Sequence, residues 1–241
     1  VTPDEVLRTY DARYAKAYDK KYITNPEMLP ATIYQAALLK RQLGSVDSWL
    51  DVACGTGFYL SLFPDVPTRA GLDLSAPMLA HARRRSPDVR FFQGSFLASR
   101  KSWLARWQLV SCMWWAYCLV DGMRELERLV FNIASWVAED GCAFIPLCNA
   151  RTFRPRVTFP RADPDRPGVT LDGLVWSWAE DGGKLHRHML SPLPETMRAL
   201  FGVHFRDVEV VSAPRRIRRG YWSTDFLIAR RKRRSALRAK T

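Results

Sequence analysis

Two carboxylates and two glycines carry the first chemical signal in this chain. Asp51 lies inside an apolar run, Trp49-Leu50-Asp51-Val52, which reads as a buried parallel strand. The small-residue turn Ala53-Cys54-Gly55-Thr56-Gly57 follows at once, and then a helix-like pattern through Phe58, Tyr59, Leu60, Leu62 and Phe63. Strand, glycine turn and helix bring backbone N–H groups and a helix N-terminus up to an anionic ligand group. About 20 residues on, a second apolar strand ends at Asp73, whose carboxylate is placed to accept two hydrogen bonds from a ribose. A dinucleotide fingerprint requires a third glycine, and Phe58, Tyr59 and Leu60 stand in its place. A Gly-Lys-Ser/Thr phosphate loop is absent as well.

Other residues could do chemistry by their spacing. Tyr10, Tyr14, Tyr18 and Tyr22 recur every four residues, which puts them on one slowly rotating face of a helix. Such a stripe packs a core or lines a ligand cleft, and a polar cleft supplies the partners that phenols need. His186 and His188, at i and i+2, share one face of a strand, as do Trp176 and Trp178 around Ser177. Trp114 and Trp115 follow the fourth strand, at the end of the sheet where α/β ligands bind.

Elements must hold these residues in place. Thr2-Pro3-Asp4-Glu5 starts a helix that runs through the four tyrosines, and a second amphipathic helix spans 31–43 before Gly44. Strands at 68–74, 89–92, 109–113 and 142–147 alternate with helices at 75–85 and 122–138. The triple arginine at 83–85 suits a helix C-terminus. Segments 169–179 and 184–190 read as a hairpin joined by Glu180-Asp181-Gly182-Gly183. A helix at 195–201 and strands at 205–211 and 224–230 close the series. The pattern predicts an α/β, doubly wound, Rossmann-like sheet of seven mostly parallel strands, with an antiparallel C-terminal pair and a hairpin inserted after strand five. The expected divisions are a helical cap (1–44), a cofactor-binding core (45–150), the loop and hairpin (151–192), the C-terminal helix and strands (193–230) and a basic tail (231–241).

Composition narrows the classes. The 241 residues are 47% apolar, enough for one sizeable core. No apolar run approaches the ~18 residues of a membrane span, and the first residues do not read as a signal peptide. Five cysteines without a metal-type pair read as buried thiols in a reducing cytoplasm, and no metal site is expected. From Arg215 onward, nine Arg and two Lys against one Asp contribute +10 of the net +13. That end could bind nucleic acid, an anionic membrane or an acidic partner, or simply aid solubility, while the body at +3 is not a nucleic-acid surface by charge.

The segments LDVACGTG and GLDLS, at this separation, resemble motif I and the following acidic strand of class I S-adenosylmethionine-dependent methyltransferases. The helix with Tyr-Asp-x-x-Tyr, GLDLSAPMLAHARRR, FFQGSF and the late hairpin look most like the antibiotic-sugar N,N-dimethyltransferases within that family. The resemblance implies transfer of a methyl group to nitrogen or oxygen of a small molecule, with S-adenosylhomocysteine as product. It implies that Asp51 and the amides of Ala53, Gly55 and Gly57 hold the aminopropyl-carboxylate end and that Asp73 binds the ribose. Leu74 and Met78 would pack the adenine, Gly94, Ser95, Phe96 and Met113 would complete its pocket, and Tyr14, Tyr18 or Tyr22 would close over the methionine moiety. Ser95 stands where many relatives carry an acid.

For the acceptor, His186, His188, Tyr117 and Asp121 are the base candidates, though a neutral amine needs little proton removal. Trp114, Trp115, Trp176 and Trp178 would line an aromatic pocket, and Asn149 would orient the substrate. The hairpin could act as a lid or join two copies into a homodimer. Two other readings compete: a methyltransferase of RNA or anionic lipid using the basic tail, and a non-catalytic S-adenosylmethionine-binding regulator.

Overall fold

In the computed structural model, residues 1–44, 46–149, 168–172, 175–179, 185–190, 192–214 and 224–233 are described. The N-terminal part holds α1 (Pro3–Thr9), α2 (Ala12–Tyr18) and α3 (Leu29–Leu43). The central series is β1 (Ser48–Val52), α4 (Phe58–Leu62), β2 (Thr68–Asp73), α5 (Ala76–Arg85), β3 (Arg90–Gln93), β4 (Trp107–Ser111), α6 (Met123–Trp136) and β5 (Val137–Cys148). Then come β6 (Gly168–Asp172), β7 (Val175–Ala179), β8 (Leu185–Leu190), α7 (Pro194–Gly202), β9 (Phe205–Ser212) and β10 (Thr224–Lys232).

Seven strands form one sheet in the order β3-β2-β1-β4-β5-β10-β9. The first five are parallel, and β10 runs antiparallel to both β5 and β9. Strand periodicity of two splits the core cleanly. Leu50, Val110, Ile145 and Leu227 face α6 and α7. Their sequence neighbours Trp49, Leu109, Phe144 and Phe226 face α3, α4 and α5. Both faces are covered, which is why the strands read as nearly continuous apolar runs. The chain order reverses between β1 and β4, and an open α/β sheet binds ligands in the crevice at such a point.

Two sequence expectations are corrected. The tyrosine stripe does not lie on a single helix. α1 ends at Tyr10, Asp11 caps a new helix by accepting from the Tyr14 amide at 2.8 Å, and a π-turn takes over at Asp19–Ile23. Asp11 is a capping residue in the middle of an apparent helix, and its side chain competes for the backbone there. The insertion is also more than a hairpin: β6, β7 and β8 form a separate three-stranded antiparallel sheet. Asp172 of β6 pairs with Val175 of β7, so what reads as one strand is two. The turn expected at 180–183 and the tail beyond 233 lie outside the described residues.

A buried polar chain crosses the sheet below the glycine turn. The Trp49 indole donates to Ser111 Oγ at 2.8 Å, and Ser111 donates to Asp51 Oδ1 at 2.6 Å. Asp51 is only 1% exposed. Burial pushes its carboxyl up to about 7; the Ser111 hydrogen bond pulls it back, and the charge of Asp73 raises it further. A carboxyl raised in the folded state favours folding below its unfolded value, near 4, and that contribution is lost as pH rises toward 7. The Asp51→Asn variant is therefore expected to remove a fall in unfolding free energy on the order of 2–4 kcal/mol between pH 4 and pH 7. Urea unfolding at stepped pH measures it; an unchanged slope would contradict the buried, proton-binding carboxyl.

Candidate functional site

At the reversal point two clefts open side by side. One holds about 820 Å³ of empty space, its open mouth included, beside the turns after β1 and β2. The other holds about 630 Å³, counted the same way, against the N-terminal tyrosines and β8. Tyr10, Tyr18, Trp114 and Leu119 line both, so these four side chains form the partition between them.

The first cleft is organised by Asp73 at the end of β2. Its Oδ2 accepts from the Gly55 amide and its Oδ1 from the Ser75 amide, each at 2.8 Å. Burial raises the Asp73 carboxyl, and the amides of Ser75, Gly55 and Leu74 pull it down. A carboxylate offers about four acceptor positions, so two amides leave room for a diol. Ala53 and Gly55 line the same wall, with Leu74 and Met78 above them. The far wall has Gly94, Ser95, Phe96 and Met113. Gly94 has φ +153, a backbone conformation that L side chains rarely adopt, which favours glycine there. An apolar slot with a carboxylate at one end fits a nucleoside: the acid meets the ribose and the aliphatic side chains meet the base.

Other predicted cofactor residues stand elsewhere. Asp51 lies beneath the glycine turn and does not line the cleft. Gly57 donates its amide to Cys54 O and adopts φ +68 at the start of α4. A Cβ there would lie 3.0 Å from Ala82, so Gly57 serves the close packing of α4 on α5. The Gly55 amide is spent on Asp73 rather than on a ligand carboxylate. Tyr14 and Tyr22 line the second cleft instead of the first. Only Tyr18 of the three lines the cofactor side; burial, then the neighbouring phenols and Asp73, hold its hydroxyl protonated.

The second cleft is aromatic. Adjacent tyrosine rings contact one another at 5.2–5.9 Å between centroids, edge-on or tilted. The Tyr14 hydroxyl donates to Tyr22 at 2.9 Å and lies 3.4 Å from His186 Nε2. Trp114 and Trp115 both adopt left-handed backbone, with φ 53 and 57. That conformation aims Trp114 into the partition and Trp115 into the acceptor-side wall.

Three acceptor-side expectations stand away from both clefts. Tyr117 is 1% exposed in the core, where its oxygen accepts from the Cys148 amide at 2.6 Å. Burial, then the neighbouring cysteines, raise its hydroxyl well above the usual range, the reverse of what a base needs. Asp121 is exposed and lines neither cleft. Asn149 donates to Asp225 at 2.9 Å and also lines neither. The side chains of Trp176, Trp178 and His188 lie outside the described residues.

Sequence reasoning left out other lining residues. Pro3 and Val6 of α1 reach the first cleft because the break at Tyr10 turns α1 over it, and the Asp11 cap was the available signal. Leu97, Val120 and Glu125 also line the first cleft, and Met28 and Met189 the second. No local pattern marks these five. Among the described residues no cluster of potential metal ligands occurs, and no helix is long and apolar enough to cross a membrane.

Comparison with known proteins bears on this arrangement. Residues 50–141 match the family model described as a methyltransferase domain. Over 114 residues the chain is 39% identical to dTDP-3-amino-3,6-dideoxy-alpha-D-glucopyranose N,N-dimethyltransferase of Streptomyces fradiae. That stretch covers 46% of this chain and 43% of that protein, so the match spans less than half of the curated relative's length. The solved structure of DesVI from Streptomyces venezuelae is similar with a TM-score of 0.66 at 22% identity, covering 90% of this chain and 97% of that one. CalS10, an amino pentose methyltransferase from Micromonospora echinaspora solved with SAM bound, gives 0.61 at 21% identity, covering 84% and 89%. The glycine turn and Asp73 lie inside the segment that matches the methyltransferase-domain model, and the chain shares its overall fold with these two solved methyltransferases.

Proposed function

We propose that this protein transfers a methyl group from S-adenosylmethionine to the amino group of a small cyclic molecule, an amino sugar carried on a nucleotide. The observation that carries this reading is the pair of clefts sharing Tyr10, Tyr18, Trp114 and Leu119 as their partition. Bound in the first cleft, S-adenosylmethionine supplies an electrophilic methyl on a positively charged sulfur. Asp73 receives the ribose hydroxyls, Leu74 and Met78 pack one side of the adenine, and Ser95 accepts or donates one hydrogen bond at its edge. Tyr18 and Trp114 set the angle at which an acceptor in the second cleft meets the methyl. Alignment of two reactants in this way supplies several kcal/mol toward a displacement reaction.

The second cleft favours an amine over a hydroxyl acceptor. Among the described residues lining it there is no carboxylate, and His186 is the only imidazole. A hydroxyl needs a strong base in the transition state, whereas a neutral amine attacks unaided. The aromatic rings also accommodate the ammonium formed on methylation. The Streptomyces fradiae relative is named for dimethylation of a dTDP-linked amino sugar, which supports testing that class first.

Incubation with methyl-labelled S-adenosylmethionine and dTDP-3-amino-3,6-dideoxyglucose is expected to place one or two methyl groups on the sugar nitrogen, read by mass spectrometry. The matching hydroxy sugar should stay unlabelled; labelling of it alone would overturn the amine reading. Asp73→Asn is expected to weaken S-adenosylhomocysteine binding about 10- to 100-fold, in line with loss of hydrogen bonds to a charged group, as calorimetry would register. Tyr117→Phe should keep turnover within about threefold while costing about 1 kcal/mol of stability, because only a buried hydrogen bond is lost. A large loss of turnover without loss of stability would return Tyr117 to the active site.

A further inference from the structure

Both ends of α2 are tied to the two turns that grip the first cleft. At its N-terminal end, the Ser75 hydroxyl donates to the Tyr10 carbonyl at 2.6 Å. Ser75 is itself held by Asp73, through its amide. At the C-terminal end, Asp19 caps α2 and opens the π-turn that carries Tyr22. The hydroxyl of Thr56, the residue between the two glycines of the turn, donates to Asp19 Oδ1 at 2.6 Å. Arg85, at the end of α5, closes the triangle. It donates to the Thr56 carbonyl at 2.8 Å and to its hydroxyl at 3.0 Å, and it pairs with Asp19. Thr56 is 3% exposed, and Asp19 and Arg85 are partly sheltered, so this contact is screened less than a surface ion pair.

The helix between these anchors presents Tyr14 and Tyr18 to the second cleft. Nothing in helix propensity requires an i→i+5 turn at Asp19, and such turns recur at functional sites. Here the turn keeps Tyr22 in contact with both Tyr14 and Tyr18 while leaving Asp19 facing Thr56.

We propose that Asp19, Arg85, Thr56 and Ser75 are positioning residues that couple the two clefts: an occupied cofactor turn holds α2 in place and so completes the tyrosine wall of the acceptor cleft. Cofactor then raises acceptor affinity, and acceptor raises cofactor affinity by the same factor, as linkage demands. The proposal rests on the two-cleft reading above. It goes beyond it in making acceptor binding conditional on the cofactor side.

The test uses the full chain, with S-adenosylhomocysteine and dTDP-3-amino-3,6-dideoxyglucose as probes. Calorimetry of the sugar nucleotide with and without saturating S-adenosylhomocysteine gives the coupling factor. The wild-type protein is expected to bind the sugar nucleotide at least tenfold tighter with S-adenosylhomocysteine present, and Asp19→Ala to show less than a threefold difference. If the anchors only stabilise the fold, Asp19→Ala weakens sugar binding equally in both states and leaves the ratio unchanged, which overturns the proposal. Arg85→Gln serves as the second variant if Asp19→Ala does not fold. Hydrogen exchange of residues 11–23 is followed in parallel with S-adenosylhomocysteine alone. Slowing in the wild-type protein that is absent in the variant supports the coupling even if the chosen sugar does not bind, a result that would count against the acceptor class only. Equal slowing in both proteins, or none in either, overturns the coupling.

Discussion

The carboxylate of Asp73 accepts one backbone N–H from each of two turns, Gly55 from the turn after β1 and Ser75 from the turn after β2. These bonds to a charged acceptor are roughly twice as strong as neutral ones. They fix the two C-terminal strand ends relative to each other where the sheet leaves a crevice. Removing the group from water raises the cost of its charge, and the amides offset part of that cost. The result is a carboxylate held in place by backbone amides, with acceptor capacity left for a ligand. Through Ser75 the same carboxylate also seats the chain at Tyr10. One side chain therefore links the sheet, the cofactor turn and the helical cap.

The acceptor side is built on a different balance. Trp114 and Trp115 adopt left-handed backbone in succession, and each such residue costs on the order of 1–2 kcal/mol. Burial offsets this: Trp115 is 8% exposed within the core that faces α6. Backbone strain at that strand end turns one ring into the partition and the other into the neighbouring wall, which a regular strand could not do. The tyrosines complete the enclosure by ring-edge contacts, which tolerate small shifts better than hydrogen bonds do.

Much of this was legible in the residues. The alternation of strands and helices follows from apolar periodicity, and the seven-stranded, mostly parallel sheet with its antiparallel end matches the predicted architecture. The misreadings have local causes. Asp11 caps a helix in the middle of a tyrosine repeat that looks continuous, because spacing alone does not reveal a competing side-chain hydrogen bond. One apolar stretch holds two strands, β6 ending at Asp172 and β7 starting at Val175. Tyr117 and Asn149 follow strand ends in sequence, where functional residues gather, yet each spends its polar atoms inside the fold. Asp51 reads as a ligand-facing acid, but its buried carboxyl accepts from Ser111 of the neighbouring strand.

The sequence by itself determined the corner of the first cleft at Asp73, because a strand, a glycine turn and an acid on the next strand meet through short-range geometry that the parallel sheet imposes. Only the tertiary structure decided the acceptor side. Tyr10, Tyr18, Trp114, Leu119 and His186 are far apart in the chain, and they meet because both ends of α2 are tethered to the cofactor turns and β8 lies across the opening. Those tethers are single hydrogen bonds and one ion pair between distant residues. No periodicity or composition announces such contacts, since their partners are chosen by the packed sheet and not by neighbours in the chain.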